Sequence, residues 1–226
     1  MANKKETTRT SIDELNETLT SVEQRVENNK KIITWSVAGI VIVAAIILLY
    51  FYGISAPKHQ NSVDQISKAD LEMTLGNDSA ALAQYKLVAD EFSNEAGSRA
   101  ALEAAIALYK DGKNEEALKY LNKADFSDAL VAAAAKSLEG DCLVNLGKLD
   151  KALSAFDAAV SASDDNALYT PLFLLKKANV YTEQGNAEKA LKMYETIKAD
   201  YSKFANAYGL DIDMYIARAK AQVETK

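Results

Sequence analysis

Cysteine, proline and histidine are nearly absent from this 226-residue chain. Cys142 is the only cysteine, so no disulfide can close within the chain, and one thiol does not fix the redox compartment. His59 is the only histidine, and it lies just past the apolar run described below, which excludes a Ser-His-Asp or Cys-His arrangement in the rest of the chain. There is no phosphate-binding glycine loop and no cysteine or histidine cluster with zinc spacing. No cofactor, metal or catalytic residue is therefore expected, and the chain reads as non-enzymatic. Pro57 and Pro171 are the only prolines, and the rest is rich in Ala, Leu, Lys and Glu, so the expected fold class is all-α. Lys and Arg number 26 against 32 Asp and Glu, a net charge of −6, without the concentrated basic face that nucleic acid requires.

Charge is missing altogether between Ile32 and Ile54, a run of 23 residues. A helix of that length rises about 34 Å at about 1.5 Å per residue, enough to cross the hydrocarbon of a bilayer. Trp35 near one end, and Tyr50, Phe51 and Tyr52 near the other, carry the rings that settle at membrane interfaces. The run is too long for an ordinary core helix. A cleaved signal peptide has a shorter apolar region behind a shorter leader, and Ile54-Ser55-Ala56 is a poor cleavage site. The segment is thus expected to stay as a signal anchor. Lys4, Lys5, Arg9, Arg25, Lys30 and Lys31 precede it, whereas only Lys58 and Lys68 follow closely. The positive-inside rule then puts residues 1–31 in the cytoplasm, 32–54 in a bacterial inner membrane as a single span, and 55–226 in the periplasm. About ten residues are expected between Ile54 and the first helix beyond it.

Ser11-Ile12-Asp13-Glu14 has the form of a capping box. Ile12, Leu15, Leu19, Val22 and Val26 follow at heptad spacing, so the tail is expected to hold a short amphipathic helix. It is either a docking helix, for a partner or another copy, or a surface helix leading into the span. Its stripe is not basic, so adsorption to anionic lipid is not expected.

Past Pro57 the sequence repeats itself. "DGKNEEALKYLNKA" from Asp111, "LGKLDKALSAFDAA" from Leu146 and "QGNAEKALKMYETI" from Gln184 align, and a weaker copy begins at Leu75. Gly76, Gly112, Gly147 and Gly185 recur at intervals of 36, 35 and 38 residues. Five residues after each glycine stands Ala81, Ala117, Ala152 or Ala190, and nine after stands Tyr85, Leu121, Phe156 or Tyr194. A glycine can end a helix at positive φ, a small residue lets two helices cross closely, and a bulky one fills the space beside the crossing. Such pairs leave an apolar face uncovered and stack into a solenoid.

These residues resemble the tetratricopeptide repeat over roughly residues 60–200. The family's tryptophan early in the first helix and its proline between repeats are absent. Gly140 stands where the second and last copies have Ala105 and Ala178. The copy around Gly76 is degenerate and reads as a capping pair. Tyr201 to Val223, with Tyr208, Ile212, Tyr215, Ile216 and Ala219, reads as one capping helix over the last repeat. Cys142 reads as a small buried hydrophobe, and Asp164-Asp165 as turn residues.

The resemblance implies a concave groove lined by the first helix of each repeat, which binds protein partners. Carried over repeat by repeat, the inward positions are Arg99, Leu102, Ile106 and Tyr109 before Gly112. Before Gly147 they are Ser137, Asp141, Val144 and Asn145. Before Gly185 they are Leu175, Asn179, Thr182 and Glu183. The groove would be mixed in character, without the Lys/Arg clamp that grips acidic chain ends. One N-terminal span followed by a small outward-facing repeat domain resembles the YfgM family, ancillary inner-membrane partners of the Sec translocon. That resemblance implies a non-enzymatic adaptor beside SecYEG and a PpiD-like membrane-anchored periplasmic chaperone, assisting exported unfolded chains. A structural scaffold of another cell-envelope complex, for division or outer-membrane assembly, is the alternative reading.

Overall fold

The computed structural model describes Thr20, Glu27 and residues 29–225; the expected capping box and heptad stripe of the tail lie outside them. Among the described residues all regular structure is helical. The chain divides into two compact units between Lys58 and His59.

The first unit holds helix α1 (Lys30–Tyr50) and a π turn (Phe51–Ser55). α1 has no buried residue, and Trp35 is 78% exposed. The helical stretch from Lys30 to Thr74 is the one, among the described residues, long and apolar enough to cross a membrane by length and composition. The helix α2 (Ala56–Thr74) begins two residues after Ile54, not the expected ten. Pro57 lies directly after the π turn, inside the continuous helical stretch, and does not end it.

The second unit stacks antiparallel pairs. α2 pairs with α3 (Asp78–Glu91), α4 (Glu95–Lys110) with α5 (Asn114–Leu121), α6 (Ala129–Asn145) with α7 (Leu149–Ala162), and α8 (Tyr169–Glu183) with α9 (Ala187–Asp200). Each pair turns at the recurring glycine: φ is 77° at Gly76, 74° at Gly112, and 69° at Gly147 and Gly185. The Gly112 N–H donates to the Tyr109 carbonyl and the Lys113 N–H to the Leu108 carbonyl, both at 2.9 Å, satisfying two end-of-helix carbonyls. The other three glycines make the same pair of bonds. The next residue already opens the second helix: Asn77, Lys113, Lys148 and Asn186 share φ between −93° and −85°.

The four alanines are at most 1% exposed, and the four bulky residues at most 8%. The repeat register read from the sequence is thus the register of the core. The copy around Gly76 is a complete pair rather than a degenerate cap, since Ala81 and Tyr85 are as buried as their counterparts.

Two features depart from expectation. The C-terminal cap is two helices, α10 (Ser202–Ala207) and α11 (Ile212–Glu224), because Gly209 at φ 61° repeats the glycine turn outside the repeat period. Ile212, Ile216 and Ala219 pack on the last pair, and the ring centres of Tyr215 and Tyr194 lie 5.3 Å apart, but Tyr208 is 58% exposed, its ring beside Phe204 of α10. The second feature is α5, with 8 residues where α3, α7 and α9 have 14 each. Residues 122–128 then run as a loop into Asp128, whose carboxylate accepts the N–H groups of Leu130 and Val131 and so starts α6.

Candidate partner-binding groove

In the first and last pairs, the sixth residue before the glycine meets the ninth residue after it. Tyr85 donates its hydroxyl proton to Asp70 at 2.8 Å, and Tyr194 donates to Asn179 at 3.4 Å. In the second pair the same places hold Ile106 and Leu121, both apolar. In the third they hold Asp141 and Phe156. Phenylalanine has no hydroxyl, so Asp141 takes the ammonium of Lys176 from α8 instead, at 2.5 Å. Lys176 also donates to Ser137 at 2.9 Å, and its Nζ lies 5.9 Å from the centre of the Phe156 ring. Asp70 is likewise shared: it accepts from Arg99 of α4 at 2.8 Å. A carboxylate at one repeat position therefore ties one first helix to the next, twice.

Between α4, α6 and α8 these contacts leave a cavity of about 190 Å³. Six of the twelve residues picked from the sequence line it: Tyr109, Asp141, Val144, Asn145, Asn179 and Glu183. Lys176, Phe156 and Val180 complete its wall. Burial raises the Asp141 carboxyl above its usual range, with Lys176 pulling it down. Burial and then the Asp141 charge raise the Tyr109 phenol, against a hydrogen bond from Asn145.

The other six picked residues lie elsewhere or serve the structure. Arg99 and Leu102 line a separate cavity of about 650 Å³. Ile106 lines a third, of about 280 Å³, with Met73 and Leu82. Ser137 is 4% exposed and holds Lys176. Leu175 packs into the last core cluster, and the Thr182 hydroxyl donates back to the Ala178 carbonyl at 2.9 Å. Lys176 was the residue sequence reasoning missed. Only its place one helical turn from the inward-facing Asn179 could have signalled it.

Cys142 is fully buried, and burial pushes its thiol up to about 11, which leaves it protonated and unreactive. Among the described residues no group of His, Cys, Asp and Glu is arranged to hold a metal ion. Asp164 and Asp165 are turn residues with φ of 46° and 54°, and Asp165 accepts from Tyr201 at 3.2 Å.

The model of the tetratricopeptide repeat-like domain matches residues 54–180, more than half of the chain. The chain belongs to this family. A second tetratricopeptide repeat model matches residues 173–203, which covers most of α8 and all of α9. Two crystal structures of MamA are similar in fold to this tetratricopeptide-repeat chain. One has a TM-score of 0.54 at 20% identity, covering 74% of this chain and 94% of that one. The other has a TM-score of 0.50 at 21% identity, covering 70% and 95%. Tetratricopeptide-like repeats of a kinesin light chain from Podosopora anserina superpose with a TM-score of 0.50 at 13% identity, covering 70% and 92%. At these identities the likeness is one of fold. No curated protein matches the chain. Tetratricopeptide repeats are protein-interaction scaffolds, and the chain is an interaction protein of that class.

Proposed function

We propose that this protein is a membrane-anchored adaptor whose repeat groove binds protein partners at the SecYEG translocon, beside a PpiD-like anchored chaperone, and assists exported chains as they emerge. Residues 1–31 lie in the cytoplasm in this reading, 32–54 cross the inner membrane, and 55–226 stand in the periplasm. The observation that carries it is the joining of two things in one chain. α1 buries none of its apolar residues, and a repeat scaffold follows whose groove is small and mixed in chemistry. A groove of about 190 Å³ offers modest affinity by itself. Anchoring raises the effective concentration of other membrane proteins around it, so weak contacts suffice. The resemblance to the YfgM family supplies the identity of those neighbours.

Photo-crosslinking side chains placed at Val144, Asn179 and Glu183 in cells test the proposal. Adducts with translocon subunits, an anchored chaperone or exported chains are expected. Adducts confined to division or outer-membrane assembly proteins would replace the translocon with a scaffold role. Topology is tested separately by a membrane-impermeant thiol label on spheroplasts. An introduced cysteine at exposed Lys192 should react and one at Lys5 should not; the reverse would overturn the orientation.

A further inference from the structure

The short helix α5 leaves a space that the other pairs fill. With 8 residues against 14, it ends before it can cover the first turns of α4. The loop that follows is fixed to the repeat. The Asp125 N–H donates to the Ser98 hydroxyl at 3.1 Å, Ser98 is 7% exposed, and Lys123 pairs with Asp90. Between this loop and α4 lies the cavity of about 650 Å³, within the range of about 300–1,000 Å³ occupied by ligand sites. Leu102, Phe126 and Val131 supply its apolar lining. Glu95, Glu103, Asp125 and Asp128 supply its charge. Arg99 is the one cation among the lining residues, and it is engaged by Asp70 at 2.8 Å.

We propose that this cavity receives a basic, apolar stretch of a partner polypeptide: a lysine or arginine flanked by aliphatic or aromatic side chains. Charge complementarity selects that occupant. Glu95, Glu103 and Asp125 line the cavity beside the α6 cap Asp128, and its one cation is already engaged by Asp70, so an incoming cation meets opposite charge. The methylene stem of lysine or arginine lies along apolar surface while its head reaches carboxylates, which is the combination lining this cavity. The inference rests on the repeats acting as a protein-docking scaffold, and it names the chemistry for one part of that surface.

The test uses the full chain in nonionic detergent micelles and a fluorescein-labelled hexapeptide alternating lysine and leucine, followed by fluorescence anisotropy. Saturable binding is expected, and a glutamate–leucine hexapeptide should bind at least tenfold more weakly. The triple variant Glu95→Gln, Glu103→Gln, Asp125→Asn should bind the basic peptide about tenfold more weakly, as the loss of three rim ion pairs implies. Val131→Trp, which fills the cavity and keeps every carboxylate, should weaken binding comparably. A control triple outside the cavity, Glu91→Gln, Glu115→Gln, Glu188→Gln, should leave affinity unchanged, and circular dichroism should report an intact helical fold in each variant. Equal binding of the two peptides overturns the proposal. So does an equal loss in the control triple, which would mean attraction to net charge alone. An oligomer in sedimentation that the cavity triple dissolves would put a second copy in the site and likewise overturn it. Absence of peptide binding alongside translocon adducts from Asn179 would sink the cavity and leave the adaptor reading standing.

Discussion

Replacing Gly140 with alanine should destabilise the repeats, although alanine is the better helix former. A methyl group there would stand 2.4 Å from Cε1 of Phe156 and 2.7 Å from its Cδ1 and Cζ. Carbon atoms do not approach so closely, so the ring or α6 must move. The ring is 1% exposed with Lys176 over its face, so a shift toward the cavity it lines must disturb that ammonium and its bonds to Asp141 and Ser137. Exchanging glycine for alanine inside a helix contributes about 1 kcal/mol by propensity. Overpacking a filled core costs about 1–3 kcal/mol, and an overlap this deep belongs at the upper end. The net expectation is a loss of about 2 kcal/mol. The assay is urea unfolding of the full chain in nonionic micelles, followed by far-ultraviolet circular dichroism. The double variant Gly140→Ala, Phe156→Leu should recover part of the loss, with a coupling energy above about 1 kcal/mol, because the smaller side chain makes room for the methyl. A neutral or stabilising Gly140→Ala, or no coupling to Phe156→Leu, would mean that the close crossing of α6 and α7 is not what glycine provides.

Two further outcomes follow from the same geometry. Leucine in place of Ala117, Ala152 or Ala190 should cost about 1–3 kcal/mol each by the same urea assay, and a neutral result at all three would undo the repeat register. Burial holds the Asp141 carboxyl above its usual range, so the folded chain keeps that proton longer than the unfolded one as pH rises. Wild type should therefore lose stability relative to Asp141→Asn between about pH 3.5 and about pH 6.5, measured by urea unfolding at both ends. A gain over that interval would mean that Lys176 outweighs burial.

Much of this architecture was legible because backbone geometry leaves few choices. A turn at φ near 70° admits glycine readily and side chains poorly, so Gly76, Gly112, Gly147 and Gly185 announced themselves by period. Gly209 makes the same turn but falls outside that period, and so the capping helix looked unbroken. Ala81 and Tyr85 fell in register, yet the weak sequence around Gly76 read as a capping pair, although burial constrains those positions as tightly as in the other copies. The early end of α5 carried one readable sign, Asp128 as a helix cap before an apolar run. The lining of the small cavity between α4, α6 and α8 was legible in part. Residues near the glycine, such as Val144, Asn145 and Glu183, face the cavity because the turn fixes their phase. Lys176 was not, since a lysine on a surface helix looks alike in sequence whether it is solvated or held by Asp141 and Ser137.

The short α5 also bears on how the stack holds together as a cooperative object. In a linear array each pair is stabilised by itself and by its two neighbours, with no distant contacts to compensate for a weak link. α5 contributes fewer than three turns where its counterparts contribute almost four. A buried cluster of Ala105, Leu108, Ala117, Leu121 and Cys142 bridges α4, α5 and α6, and so the core passes through this short helix. The link through the second pair thus rests on the shortest second helix of the four pairs. A partner that fills the space beside α5 would strengthen that link, so that docking would be felt as a gain in cooperativity along the repeat domain.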